Sequence, residues 1–327
     1  MLHLTILAAI AGLHAQEPSI GERSASAEEL MRAATPEQVR ACGDDLDCLV
    51  AAYQDFEPTV PGQASPGSPW FDLEVLYTAK RFEQGLSLTQ QRLELRPNDL
   101  TLAWMQARFY YELGELYGED FDKKAWYQEM LDKVELSLDL HPGDPHLQFL
   151  HGLAMGRVGT TRGVLATLAY VDDVEAAWLA AEAAGTEYAS LGLEEHLPCD
   201  GALVLGIFYR LIPDSWIIKL ITGTQGDLDK SLAYHEASCR CSPDRIRSLI
   251  ERAVTELCIA DSRHDAPMLA RGMSTLVHIR TLPPHLPTDF IDQEHALLLS
   301  KHPDLACGYS RDGMQDRDTS ELEATQP

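Results

Sequence analysis

Between residue 70 and about residue 260 the apolar positions repeat with the period of a helix face, and no segment alternates convincingly at the period of two that a strand needs. Four segments carry the pattern: "LTLAWMQARFYYELG", "PHLQFLHGLAMGRVG", "GALVLGIFYRLIP" and "RIRSLIERAVTEL". Each comes after or beside a proline: Pro97, Pro142, Pro198 and Pro243. Pro97 and Pro142 stand 45 residues apart, and so do Pro198 and Pro243. Asp99, Asp144 and Asp200 lie two residues after their prolines, and Asp244 lies one after. Proline cannot continue a helix, and aspartate caps the next one. The predicted unit is therefore helix, turn, helix and a Pro-Asp break, with each break between units.

Stacked units of this kind bury a continuous core that no single unit can bury alone. The expected fold class is all-α: tetratricopeptide-like helical-hairpin repeats forming an α-solenoid over residues 70–308. Residues 16–56 read as a small N-terminal helical hairpin, in which Thr35 caps a helix that opens at Pro36. "EPTVPGQASPGSP", within which residues 57–69 fall, is too rich in Pro and Gly for a regular element and reads as a linker. Residues 309–327 are polar and read as a disordered tail.

The glycines of "HGLAMGRVGTTRGV" need a separate reading. A phosphate cradle requires a strand before it and a Gly-Lys-Ser/Thr ending. Here a helix precedes, and the ending is Arg162-Gly163-Val164. Gly152 and Gly156 share a helix face and permit close helix approach, while Gly159 reads as the residue that ends the helix.

Charge narrows the partners. With 26 basic and 51 acidic residues the net charge is −25, which opposes binding to nucleic acid and to anionic lipid. "MLHLTILAAIAGLHAQ" has the short apolar run of a secretory signal over residues 1–15, so an exported, soluble protein is expected, without a lipid-attachment cysteine. The seven cysteines fit an oxidising compartment. Cys42 and Cys48 flank the turn "GDDLD" and are expected to pair. Cys199 starts the first helix of one unit, and Cys239 and Cys241 end its second, at the same end of the hairpin. Cys199 is therefore expected to pair with Cys241, which lies nearer the Pro243 break. The pairing of Cys239, Cys258 and Cys307 stays open.

"GRVGTTRGVLATLAYV", "DGALVLGIFYRLIP" and "GDLDKSLAYHEASCRCSPD" resemble, in that order, the tetratricopeptide-like periplasmic subunit associated with tripartite ATP-independent periplasmic (TRAP) transporters. "DFIDQEHALLLSKH" is similar to that family's closing helix, and the resemblance covers roughly residues 70–305. It implies an all-helical, non-enzymatic binding subunit that works beside a periplasmic solute-binding protein or another envelope protein and is able to form a homo-oligomer. An envelope scaffold without a small ligand is the alternative. "DSWIIKLITGTQ" departs from the family as an apolar insertion.

First helices of such repeats line the inner surface. On them Arg108, Arg157 and Arg210 fall at related positions and, with Arg162, form a set suited to gathering a small organic acid. Trp104, Tyr110, Phe149 and Tyr209 on the same helices are candidates for an apolar ligand groove. "HEASCRC" offers His235, Cys239 and Cys241, but an oxidising compartment favours disulfides there, so no metal and no cofactor is expected. No nucleophile elbow or zinc-protease motif marks a catalytic site. An apolar cavity with inward arginines would favour ligand binding, an open polar groove a scaffold, and a deep polar pocket of carboxylates and histidines an enzyme.

Overall fold

The computed structural model describes residues 26–116, 123–161, 170–311 and 313–314. The expected signal segment, Arg162 and residues 315–327 lie outside them. The described chain is all-α, with helices packed as consecutive pairs. Three short helices, α1 (Ala27–Ala34), α2 (Glu37–Arg40) and α3 (Leu46–Ala52), precede α4 (Phe71–Thr78) and α5 (Phe82–Leu95). Then come α6 (Leu100–Leu116), α7 (Lys123–Leu140), α8 (Pro145–Thr160), α9 (Val171–Ala184) and α10 (Leu197–Leu211). The chain continues through α11 (Trp216–Thr222), α12 (Leu228–Cys241), α13 (Ile246–Arg263), α14 (Ala266–Ile279) and α15 (Pro287–Lys301). A 3-10 helix, Pro303–Gly308, leads into two-residue strands Tyr309–Ser310 and Gly313–Met314, paired with each other. Among the described residues no helix is long and apolar enough to cross a membrane.

The punctuation works in two ways. Pro97 and Pro142 sit in breaks, and Asp99 and Asp144 accept hydrogen bonds from the Leu102 and Leu147 amides at 3.1 and 2.9 Å, capping α6 and α8. Pro243 also sits in a break. Pro198 does not: it lies in the first turn of α10, where its missing N–H costs nothing. The register there is shifted, so His196 is the cap residue and Asp200 is turned to Arg245. Thr35 ends α1 rather than starting α2; its hydroxyl donates to the Met31 carbonyl at 2.8 Å.

Glycine serves packing more than termination. A Cβ on Gly152 would lie 2.5 Å from the Trp178 indole nitrogen, so α8 presses its backbone against the Trp178 ring of α9. Gly159 is still helical, since α8 runs on to Thr160.

Residues outside the repeats are fastened to them. In the irregular stretch 57–69 Gln63 donates to the carbonyls of Ser190 and Leu191 at 3.0 and 3.2 Å, strapping it to the connection between α9 and α10. Residue 309, where a disordered tail was expected to begin, belongs to the folded core. Tyr309 is fully buried, and its carbonyl accepts from Arg210 at 2.7 Å. Arg311 binds Glu115 at 2.6 Å and Asp292 at 2.9 Å. The insertion after Pro213 forms α11, on which Trp216 and Leu220 are exposed.

Disulfides join Cys42 to Cys48, Cys199 to Cys241 and Cys258 to Cys307. The first two are the expected pairs. The third tethers the C-terminal 3-10 helix to α13 and leaves Cys239 as a buried thiol. Three disulfides fit an oxidising environment.

Candidate functional site

Helices α6, α8, α10 and α13, the first members of successive pairs, border a cavity of about 210 Å³. Its lining has two chemically distinct parts. One, an apolar wall, is made by Phe149, Leu153, Val174, Trp178, Leu203 and Phe208 of α8, α9 and α10. The other, a charged wall, brings together arginines and carboxylates from α6, α8, α13, the start of α10, the connection before it and the C-terminal segment.

The charged wall is a set of ion pairs. Arg108 binds Glu195 at 2.5 Å and Glu74 at 2.8 Å. Its guanidinium carbon lies 4.1 Å from the centre of the Tyr77 ring and 4.7 Å from that of Tyr188. Burial alone would raise Glu195, but Arg108 and His146 together outweigh it and hold the carboxyl down at about 2. Arg157 of α8 binds Glu115, as does Arg311. Arg247 binds Glu251 at 2.7 Å, and Arg245 binds Asp200. Glu251 is likewise held down at about 2: burial pushes it up, and Arg247 and Arg210 more than compensate.

Glu112 stands apart. It accepts a hydrogen bond from the Tyr77 hydroxyl at 2.6 Å and is nearly inaccessible to solvent. Burial pushes its carboxyl up to about 7, with the Tyr77 hydrogen bond pulling the other way.

No protein-family model matches the chain, and no curated protein matches it.

The cavity gathers some of the residues singled out from the sequence and not others. Arg108, Arg157 and Phe149 line it. Arg210 is fully buried nearby, held by Glu251 at 2.5 Å and the Tyr309 carbonyl, and does not face it. Arg162 lies outside the described residues. Trp104 packs on His146, with ring centres 4.5 Å apart, and donates to Asp144 at 3.0 Å. Tyr110 accepts from Gln90 at 3.1 Å, and Tyr209 donates to Glu175 and stacks on Tyr234. Those three aromatics are packing residues outside the cavity lining. Arg108, Arg157 and Arg210 do not form an open anion clamp, because each is already paired with a carboxylate of this chain.

His235, Cys239 and Cys241 do not converge. His235 is packed against Gly206 and kept neutral by burial, which lowers it to about 3, while Cys241 is in a disulfide. His196 lies near Cys199 and Cys241, with Nδ1 3.2 Å from the Cys199 sulfur. Those two sulfurs are bonded to each other, so neither is a thiolate ligand.

Trp178, Glu112, Glu115, Glu195, Glu251, Arg245, Arg247 and Arg311 line the cavity without having been singled out. One local signal was present. Glu112 and Glu115 are the only acids inside the apolar run "FYYELGEL", and burial of such a residue needs a reason. Glu195 and Arg311 arrive from irregular segments, which carry no periodicity to read.

Proposed function

We propose that the protein is an exported, non-enzymatic binding protein whose cavity holds a small amphiphile. The observation that carries this reading is the pairing of an apolar wall, from Phe149 to Phe208, with a wall of fixed charges in one cavity. An engineered cavity of about 150 Å³ accommodates benzene. A volume of about 210 Å³ suits a body only somewhat larger. The consecutive helix pairs, with α6, α8, α10 and α13 turned to one interior, support a tetratricopeptide-like solenoid. That agrees with the sequence resemblance to the TRAP-associated subunit, and we extend it to a role beside a solute-binding partner.

Native mass spectrometry of the exported protein tests the reading. The expected result is a one-to-one adduct of low mass that is lost when Leu203→Arg fills the cavity. A second reading, an envelope scaffold without a small ligand, draws on the exposed Trp216 and Leu220 of α11. It predicts no low-mass adduct and a protein partner lost in Trp216→Ser.

A further inference from the structure

The charged wall is balanced everywhere but at one point. Of the carboxylates that line the cavity, Glu115 is within ion-pair distance of Arg157 and Arg311, Glu194 of Lys80, and Glu195 of Arg108. Asp200 is likewise close to Arg245, and Glu251 to Arg210 and Arg247. Among the described residues Glu112 has no such cation; its polar partner is the neutral Tyr77 hydroxyl. A buried carboxylate is costly to ionise without a positive charge beside it.

The neighbours of Glu112 do not supply one. Tyr77 and Lys80 approach from α4 and the residues after it, and the Lys80 ammonium is bound to Glu194 at 2.6 Å. On α6 itself lie Tyr111 and Glu115, and Arg108, one turn earlier, is bound to Glu74 and Glu195. Glu195 comes from the connection before α10. Arg157 of α8 and Arg311 of the C-terminal segment are both directed to Glu115. The other acids near Glu112 repel its charge, and the one lysine is already engaged.

The geometry points to a ligand with one positive charge, an ammonium group on an apolar body, for which Glu112 is the counter-ion. This rests on the reading of the cavity as an amphiphile site. The ammonium donates to the Glu112 oxygen that Tyr77 does not hold, and the body lies against Phe149, Trp178 and Phe208. An anionic head would instead add a charge beside Glu112 and Glu115, with every lining arginine already committed to a carboxylate of this chain. Because burial lifts Glu112 to about 7, its charge changes within an accessible pH range.

The test is calorimetric titration of the full chain with n-octylammonium, n-octanol and n-octanoate, at pH 8 and pH 6. All three probes share one apolar body, and neither charged probe changes its charge over that range. At pH 8 octylammonium is expected to bind at least about tenfold more tightly than octanol, the value of one well-placed charge contact. Its affinity falls by about tenfold at pH 6 as Glu112 takes up a proton, while octanol affinity stays constant. Glu112→Gln removes both the preference and the pH dependence and leaves octanol binding intact. If that variant does not fold, the wild-type pH dependence decides alone. Octanoate binding tightest, or octylammonium binding no better than octanol, overturns the cationic ligand and leaves the amphiphile reading standing. Failure of all three probes to bind overturns both.

Discussion

The two walls of the cavity share helix α8, which gives Phe149 to the apolar side and Arg157 to the charged side, yet they are stabilised by opposite means. The apolar wall gains from area removed from water and from close packing, as where Trp178 lies on Gly152. The charged wall removes at least five arginines and their carboxylates from water, and each ion pair offsets a desolvation cost of similar size. Replacing part of the apolar wall changes stability by degrees. Removing one member of the charged wall strands a buried charge. The comparison teaches that the charged wall is a poor source of stability for its own sake, and that Glu112, which has no cation beside it among the described residues, is where a ligand would contribute.

The strongest way to break the comparison is Arg108→Met, which leaves Glu74 and Glu195 buried without their cation. Urea denaturation at pH 7 should show a loss of about 3–5 kcal/mol. A loss under about 1 kcal/mol would mean that this pair behaves like an exposed one.

Glu112→Gln should act in the opposite direction. The folded chain holds the Glu112 proton up to about pH 7, against 4.5 for the carboxyl when unfolded. The unmatched charge therefore costs nothing below about pH 4.5, costs more as the pH rises, and reaches its full value above about pH 7. The variant should be more stable than the wild type by on the order of 3 kcal/mol at pH 8, and the gain should vanish as the pH falls toward 4.5. Denaturation curves at three pH values check the sign and the window. A gain independent of pH would contradict the assignment.

Gly152→Ala sharpens the apolar side. The new methyl group meets the Trp178 ring, whose indole N–H donates to the Phe149 carbonyl at 3.2 Å. Overpacking here should cost about 1–3 kcal/mol and shift the tryptophan emission. An unchanged spectrum with unchanged stability would show that the two helices are not in close contact.

Much of this architecture was legible because it is local or periodic. Helix faces, the breaks at Pro97 and Pro142 and the Asp99 and Asp144 caps follow from neighbours within one turn. The Cys199–Cys241 bridge followed from hairpin geometry, which puts the start of one helix beside the end of the next. Pro198 is spaced from Pro243 as Pro97 is from Pro142 but is used differently: α10 already starts at Leu197, so Asp200 lies inside the helix, where it accepts from the His196 amide and pairs with Arg245. Spacing alone does not carry that tertiary contact. The arginine row was visible on the first helices, but its ligands were not: Arg108 is matched by Glu195 from 87 residues away, and Glu115 by Arg311 from 196 away. Those long-range pairings turned an expected anion clamp into a wall already filled. They also brought Tyr309 and Arg311, polar and terminal in the sequence, into the core.

The most direct test of the two-walled cavity is a crystal structure of the protein soaked with 8-bromooctan-1-ol, located by the anomalous signal of the bromine. The account predicts one strong peak against Phe149, Trp178 and Phe208, with the hydroxyl end directed toward Glu112 and Tyr77. A bromine bound instead on the exposed Trp216 and Leu220 surface of α11, with the cavity unoccupied, would contradict it.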